Sequence, residues 1–487
     1  MTTRILDLIN FSNLRNPDAD SGVRLQKELI SAVLRRKPDF FFYLLAPAEL
    51  QASLSSYFQG KRVQVIPYGG LTRQQGGAYH FDPKELSLLL DLRQIDIDVL
   101  FLNQPELTPA FLDYFNKVHF FDIHSLGYIH WMDWKRSDNA KNRWNIPGNL
   151  MVLTSILVST ATGCNSLYGK SRILREAKRW FRDDAINEMD RKLIPLYPGV
   201  QSREILRARS PARNKVKTIV FPFRAQKYTG FKSLIEIHLR QLWKTRRDFR
   251  LLLTNPSNYD YVKKYPERFP FVQVLRLDRQ EYLKMLWKAD IVVGCHTGAN
   301  QWSLAVVEAM AAECIPLLNR SSFFREMLAP VIPAGKSASV FAKYTYFRGT
   351  FRKQLEALLN NLPDERRRFR PFASRIRAFY DWDSRVDGWI KCFETVDAAC
   401  TSVTAKSKVV RRMVQFICDQ ERCSKAQILR YLQWHPKSRQ IPWSRYRKYL
   451  RNRFLEDVTS PGVTFNGGIL TKHPRKSENE NVRSPTV

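Results

Sequence analysis

The sequence predicts an α/β protein with parallel sheets, two large domains and a small basic extension at its carboxyl end. Three observations support this prediction. Short apolar runs alternate with amphipathic helical patterns through most of the chain, as in doubly wound parallel sheets. The length of 487 residues exceeds that of one ordinary domain. After residue 400 the pattern changes to short helices rich in Lys and Arg.

Strand and helix patterns alternate along the first half of the chain. Short apolar runs bounded by turn residues predict strands at 4–9, 40–45, 63–67, 96–102, 118–123 and 156–159. Apolar residues repeating every three or four positions predict helices at 23–34, at 109–116 and from Lys170 onward. No glycine-rich dinucleotide fingerprint follows the first strand, so the pattern gives a simple NAD enzyme no support.

The second half repeats the alternation. Strands are predicted at 218–221, 249–254, 272–277, 291–293 and 315–318, with helices starting at Arg279 and covering 303–312. In open α/β sheets a ligand binds where loops leave the carboxyl ends of the strands. We therefore expect the functional residues to lie in the loops after these strands.

The net charge of +33 is unevenly distributed. Residues 1–170 contain 18 Lys and Arg against 16 Asp and Glu, whereas residues 401–487 contain 18 against 6. Most of the positive charge therefore belongs to the middle and the end of the chain. Such concentration favours a polyanionic partner, either nucleic acid or an acidic membrane surface, although a generally basic protein is the alternative.

The seven cysteines are odd in number and form no CxxC pair, so reduced thiols in a cytoplasm are expected. No window approaches 18 uninterrupted apolar residues, and the first twenty residues lack a basic-then-apolar signal pattern. We expect a cytoplasmic protein, in the host cytoplasm if it is phage-encoded, with no integral membrane segment.

The stretch from Ala289 to Arg320 carries the clearest functional signal. An apolar strand (291–293) leads into a small, polar loop, then into a helix with an apolar face, then into a second strand that begins at Ile315. Glu308 lies inside that otherwise apolar helix, where a carboxylate needs a reason. The alternative is a helix carboxylate that faces solvent.

This unit resembles the nucleotide-sugar site of retaining GT-B glycosyltransferases. The second of two family glutamates matches Glu308, and Ala309, Met310, Ala311 and Pro316 match the residues after it. The resemblance implies two Rossmann-like domains and a hydrogen bond from the donor ribose to Glu308. The first family glutamate is replaced here by Asn300, whose amide can still bind hydroxyl groups.

The resemblance implies further donor-site residues. Arg224 and Lys227, in the loop after strand 218–221, would stabilise the charge that develops on the departing diphosphate, with Lys232 as a rival to Lys227. The loop before Glu308 adds His296 and Gly298 to this predicted site. The alternative is a basic surface loop on a basic protein. A nucleotide sugar, UDP-linked in our interpretation, would be the cosubstrate, with no metal or other cofactor.

A histidine close to the donor sugar is also implied. His124 and His130 lie with several aromatic residues in a predicted loop after strand 118–123, and either could fill that place. We favour His124 as the catalytic histidine. A core aromatic cluster with satisfied histidines is the alternative.

The basic extension resembles a winged helix-turn-helix. Helices are predicted at 409–418, 425–433 and 443–455, followed by strand-like pieces over 458–470. In such modules the last helix enters the major groove, so its basic residues would bind nucleic acid: Arg445, Arg447, Lys448, Arg451 and Arg453. A small basic interaction domain is the alternative.

These predictions divide the chain into five parts. They are an acceptor domain (1–195), a nucleotide-sugar domain (196–375), a crossover helix (376–400), a winged-helix-like domain (401–471) and a disordered tail (472–487).

The leading functional hypothesis is transfer of a hexosyl or pentosyl group, with retention, onto a hydroxymethylated pyrimidine base of DNA, as in phage DNA modification. The acceptor base would have to leave the duplex. One alternative is a peripheral membrane glycosyltransferase of cell-envelope polysaccharide or lipid. Another is an inactive protein of this fold that acts as a DNA-binding regulator.

Overall fold

The computed structural model describes most of the two predicted domains and three short strands after them. The described residues are 2–9, 20–69, 81–90, 97–115, 123–130, 132, 145–210, 214–223, 229–254, 262–295, 302–320, 322–333, 335, 337–347, 349–401, 422–424, 463–466 and 469–472.

A seven-stranded parallel sheet occupies residues 4–195, with the strand order β3-β2-β1-β4-β5-β6-β7. Its strands are β1 (Arg4–Leu8), β2 (Phe41–Ala46), β3 (Val63–Pro67), β4 (Val99–Leu102), β5 (His124–Ile129), β6 (Ala161–Cys164) and β7 (Leu193–Pro195). The helices around it are α1 (Ser21–Arg36), α2 (Ala48–Tyr57), α3 (Pro83–Leu89), α4 (Thr108–Asp113), α5 (Asn145–Val158), α6 (Leu167–Ala177) and α7 (Asp183–Lys192).

A six-stranded parallel sheet follows, with the strand order β10-β9-β8-β11-β12-β13. Its strands are β8 (Lys217–Phe221), β9 (Phe249–Thr254), β10 (Val272–Leu275), β11 (Ile291–Gly294), β12 (Ile315–Asn319) and β13 (Thr345–Tyr346). Its helices are α8 (Ser202–Arg207), α9 (Arg240–Thr245, preceded by a π-helical turn at Ser233–Leu239), α10 (Tyr265–Arg268), α11 (Arg279–Lys288), α12 (Leu304–Ala311), α13 (Ser322–Leu328), α14 (Ser337–Tyr344) and α15 (Phe351–Asn360).

Two long helices return the chain to the first sheet. Helix α16 (Leu362–Tyr380) packs on the second sheet's core, and α17 (Trp382–Thr401) packs on the first. The chain passes from one domain to the other at Asp381, which forms a β-bridge with Val200. Val200 lies in residues 196–201 between β7 and α8, which we call the hinge. Trp382, Trp389 and Phe393 are fully buried in the first core, so α17 is part of that domain's interior.

The central strands are apolar because helices cover both faces of each sheet. Every residue of β4 (VLFL) and of β11 (IVVG) is buried. This explains why short apolar runs rather than alternating patterns located most strands correctly.

The region from β5 to β6 differs from the sequence prediction. The strand that pairs with β4 is 124–129, whereas the sequence predicts a strand at 118–123. Residues 118–122 lie outside the described residues. The predicted strand 156–159 is mostly the end of helix α5, and β6 follows it in a stretch where no strand is predicted. A short apolar run does not distinguish a strand from a buried helix. In β5, Ser125 and Gly127 interrupt the apolar run, so the pattern does not predict a strand there.

Three short antiparallel strands are described in the basic extension: β14 (Arg422–Ser424), β15 (Val463–Asn466) and β16 (Ile469–Lys472), in the order β14-β16-β15. The hairpin of β15 and β16 overlaps the segment 458–470 that was predicted to form the wing and extends two residues beyond it. The predicted helices of this extension and the tail after residue 472 lie outside the described residues.

Asp7 in β1 provides a test of the first core. Its side chain is fully buried, and Gln26 donates a 2.6 Å hydrogen bond to Oδ1. Burial raises the pKa of Asp7 well above its usual value. The folded protein therefore binds this proton more tightly than the unfolded chain, and stability falls as the pH rises through the interval between the two pKa values.

We expect Asp7→Asn to increase the free energy of unfolding at pH 7 by about 1 to 2 kcal/mol, with no gain below pH 4. Urea unfolding at the two pH values measures this. Asp248 serves as the control, since Arg246 and Lys217 lower its pKa. Asp248→Asn should lose stability at pH 7. A destabilised Asp7→Asn protein at pH 7 would contradict the prediction.

Candidate functional site

Glu308 lies in the middle of helix α12, which connects β11 to β12 in the second sheet. Ser303 caps the helix by accepting a hydrogen bond from the Val306 amide, and the rest of α12 is apolar. The Glu308 side chain is 0% exposed. The alternative of a solvent-facing carboxylate is therefore wrong.

Two guanidinium groups bind the Glu308 carboxylate, one from a helix of each domain. Arg24 of α1 donates to both oxygens, with 2.8 Å from Nη1 to Oε2 and a shorter contact from Nη2 to Oε1. Nη2 of Arg279, the first residue of α11, lies 2.6 Å from Oε1. Burial alone would raise the pKa of Glu308, but these two cations lower it to about 2. The carboxylate is therefore ionised at any physiological pH.

Each arginine has a second carboxylate partner on its own side. Arg24 Nε donates to Glu28 Oε1 at 2.8 Å, four residues further along α1. Arg279 Nη2 donates to Glu204 Oε2 at 3.0 Å, in the short helix after the hinge. Glu28 in turn accepts a 2.7 Å hydrogen bond from the indole of Trp382 at the start of α17. The network thus connects both sheets, the hinge and the crossover helix.

The two candidate histidines lie at opposite ends of β5. His124 is the first residue of the strand and pairs with Val99, and its Nδ1 lies 2.8 Å from Thr160 Oγ1. His130 follows the strand at its carboxyl end, where its Nε2 lies 3.0 Å from Ser21 Oγ. Ligands of such sheets bind at the carboxyl ends of strands. His130 therefore lies at the edge of the sheet where a ligand is expected, and His124 lies at the opposite edge.

Helix α1 connects His130 to Glu308. Its first residue, Ser21, contacts His130, and Arg24, one turn later, contacts Glu308. Asp20 caps this helix by accepting hydrogen bonds from the amides of Gly22 and Val23. The first turn of α1 thus brings together two residues that were predicted separately from distant segments.

Arg224 and Lys227, in the loop after β8, and His296, Gly298 and Asn300, in the loop after β11, lie outside the described residues. The ends of these two loops are described and touch. Gly230 has φ +74°, and a Cβ built there would lie 2.6 Å from the Cys295 carbonyl oxygen. Lys232, the rival to Lys227, is exposed at the start of the following helical segment.

We expect Gly230→Ala to destabilise the second domain by about 3 kcal/mol, from a left-handed backbone and a clash with the Cys295 backbone. Gly60 is the matched control, because it has φ +73° and a Cβ added there would have nothing within 4 Å. Gly60→Ala should cost only about 1 kcal/mol. Thermal unfolding compares the two variants, and equal losses would show that the loop contact contributes nothing.

A second contact joins the two sheets beside the hinge. Glu326 of α13 accepts hydrogen bonds from the amides of Leu167 (2.6 Å) and Tyr168 (2.8 Å) at the start of α6. It also accepts one from the Tyr197 hydroxyl at 2.6 Å. A carboxylate suits the partial positive charge of a helix N-terminus.

Sequence reasoning missed three charged residues of these contacts: Glu326, Arg24 and Arg279. Each makes a contact with an element far away in sequence: Arg24 and Arg279 with Glu308, and Glu326 with the start of α6. No local pattern marks such a residue, because the pairing depends on how whole elements pack. A charged residue at the start of a helix is otherwise ordinary in a surface-exposed position.

The residues predicted to bind nucleic acid lie outside the described residues: Arg445, Arg447, Lys448, Arg451 and Arg453. Within the part of the chain that is described, no helix is both long and apolar enough to cross a bilayer.

Neither protein-family models nor curated protein sequences give a match to this chain. Solved structures do. Sucrose-phosphate synthase from Thermosynechococcus elongatus superimposes with a TM-score of 0.58 at 11% identity, covering 82% of this chain and 100% of that one. A glycosyltransferase from Rickettsia africae gives 0.57 at 12% identity, covering 81% and 98%.

The Anabaena protein HepE, in complex with UDP and glucose, gives a TM-score of 0.53 at 13% identity, covering 81% of this chain and 100% of that one. These structures superimpose over both parallel sheets of this chain, since each match covers more than four-fifths of it. The chain therefore has the two-domain, Rossmann-like GT-B fold.

Proposed function

We propose that this protein transfers a sugar from a nucleotide-sugar donor. The observation that carries the proposal is the buried, ionised Glu308 carboxylate in the helix after β11, which contacts Arg24 of the first domain. A buried carboxylate with two cationic partners is costly to maintain for stability alone. A ribose diol is a ligand whose two hydroxyls can both donate to it.

The remaining donor-site residues have complementary tasks in this proposal. Arg224 and Lys227 stabilise the negative charge that builds on the diphosphate as the glycosidic bond breaks. His296, Gly298 and Asn300 belong to the loop that begins after Cys295, which contacts Gly230 at the end of the loop that contains Arg224 and Lys227. His130 takes the place near the donor sugar that the sequence had favoured for His124. We propose UDP as the nucleotide and retention as the stereochemical outcome.

We propose that the acceptor is a hydroxymethylated pyrimidine in DNA. The basic extension supports this, with 18 Lys and Arg against 6 Asp and Glu over residues 401–487. Its antiparallel order β14-β16-β15 also suits a wing, because β14 lies between the first two predicted helices and the hairpin follows the third. The extension would hold the phosphate backbone while the base enters the cleft.

Transfer of radiolabel from UDP-sugars tests the proposal. The acceptors are duplexes that contain cytosine, 5-hydroxymethylcytosine or 5-hydroxymethyluracil. We expect label on one modified duplex, and none with Glu308→Ala. Slow hydrolysis of a UDP-sugar without label on any duplex would overturn the DNA acceptor but leave the transferase. DNA binding with no hydrolysis by the wild type would support the inactive regulator.

A specific surface favours anionic membrane as the second candidate partner. Trp180 is 41% exposed and Leu167 is 57% exposed at the two ends of the α6 segment. Arg175, Lys178 and Arg179 are exposed between them. Basic residues with an interfacial Trp suit an anionic bilayer surface. Sedimentation with phosphatidylglycerol vesicles, together with failure to bind DNA, would favour this alternative.

A further inference from the structure

The contact between Arg24 and Glu308 has a consequence for donor binding. Oε1 of Glu308 accepts from both Arg24 and Arg279, and Oε2 accepts from Arg24. A carboxylate offers about four lone-pair positions, so only one remains. Two ribose hydroxyls need two. Glu308 therefore cannot hold a ribose diol while both arginines are in place.

The two arginines are not equivalent, because they belong to different domains. Arg24 is on α1 of the first domain, 284 residues away from Glu308 in sequence. Arg279 opens α11 of the second domain, and Glu204 and Glu308 both belong to that same side. A donor bound to the second domain can displace Arg24 if the two domains move slightly apart. Displacing Arg279 would require rearrangement inside that domain.

The charges allow this opening without leaving an unpaired ion. Arg24 would keep its bond to Glu28, which is itself fixed by the Trp382 indole. Glu308 would keep Arg279. Breaking a buried ion pair is costly when one partner is left uncompensated, and here neither partner is. The free energy of donor binding can therefore offset the loss of the Arg24–Glu308 contact.

Arg279 also has an unused donor. Its Nε and Nη2 bond to Glu204, and Nη2 also meets Glu308. Its Nη1 is buried and has no hydrogen-bond partner among the described residues. A buried donor left unsatisfied is costly and uncommon. Arg279 stands at the carboxyl end of β10, where ligands of such sheets bind.

We propose that a nucleoside diphosphate group replaces Arg24, but not Arg279, at Glu308, and that Arg279 then donates from Nη1 to an oxygen of that ligand. The proposal rests on the proposed function, since it concerns the donor site. It makes Arg24 a residue that weakens donor binding and Arg279 one that strengthens it. The two substitutions should therefore change affinity in opposite directions.

Calorimetric titration of the full-length protein with UDP, with ADP and GDP in parallel, tests this directly. Arg24→Met retains the packing of the side-chain stem and should tighten UDP binding by about tenfold, since one charged hydrogen-bonded pair no longer competes. Arg279→Met should weaken binding by about tenfold or more. Arg279→Met alone could weaken binding either because the Nη1 bond is lost or because Arg24 then binds Glu308 more tightly. The double variant lacks Arg24, so weaker binding by it than by Arg24→Met would report the lost Nη1 bond.

Arg24→Lys and Arg279→Lys guard against variants that do not fold, and both should give smaller changes of the same sign. Unchanged or weaker UDP binding by Arg24→Met would overturn the proposal. If Glu308→Ala abolishes binding while both methionine variants match the wild type, the donor site stands and this inference fails. Absence of nucleotide binding in the wild type and every variant would instead reject the proposed function, and this inference with it.

Discussion

Replacing Glu308 with alanine should abolish sugar transfer, by about a thousandfold or more, and should also destabilise the fold by about 3 to 5 kcal/mol. The first effect follows because the variant lacks the carboxylate that we propose binds the donor ribose. The second follows because Arg24 and Arg279 would face each other in a buried space, with only Glu28 and Glu204 left to compensate their charges. Single-turnover transfer and urea unfolding measure the two effects separately.

Two variants serve as controls for this prediction. Glu308→Gln retains volume and part of the hydrogen bonding but removes the charge, so it should unfold at a urea concentration between those of the wild type and Glu308→Ala. Ser303→Ala removes the cap of the same helix and should cost about 1 kcal/mol without changing donor affinity. Wild-type UDP affinity in Glu308→Ala would disprove the assignment of Glu308.

The same carboxylate has a defined pH dependence. Its pKa is about 2 in the folded protein, against 4.5 for an ordinary glutamate. A lowered pKa contributes stability above the unfolded value that is lost as the pH falls toward the folded value. The stability difference between wild type and Glu308→Gln should therefore be constant above about pH 5 and shrink between about pH 4.5 and 2.

Replacing Gly199 with alanine should be the most damaging small substitution in the hinge. A Cβ at this position would lie 2.5 Å from the Trp382 ring and 3.0 Å from the Trp382 Cα. The neighbouring Val200 donates to Tyr380 and accepts from Trp382, so the backbone has little freedom to yield. We expect a loss of about 3 kcal/mol, measured by urea unfolding.

Gly148 provides the matched control for that substitution. It lies within helix α5, and a Cβ there would have nothing within 4 Å. Gly148→Ala should stabilise the protein by about 0.5 to 1 kcal/mol, since alanine favours a helix interior. A similar change in both variants would show that the hinge contact with Trp382 is not restrictive.

Local patterns predicted most of the fold and singled out one buried carboxylate, Glu308, which stays a candidate site residue. Glu308 was found because a charged residue in an apolar helix after a buried strand is visible within about twenty positions of sequence. Its partners were not found, because a contact between Arg24 and Glu308 depends on the packing of two whole domains. His124 and His130 were assigned to one loop for a local reason, since the predicted strand before them was placed too early in the chain.

The crossover helix has a consequence for how this chain is made. Trp382, Trp389 and Phe393 complete the interior of the first sheet, yet the ribosome adds them long after β7, once the whole second sheet has been synthesised. Domains usually fold in order as they emerge during synthesis. Here the first domain must wait, with part of its apolar interior open, until the second has been translated. The order of completion is therefore the reverse of the order of synthesis.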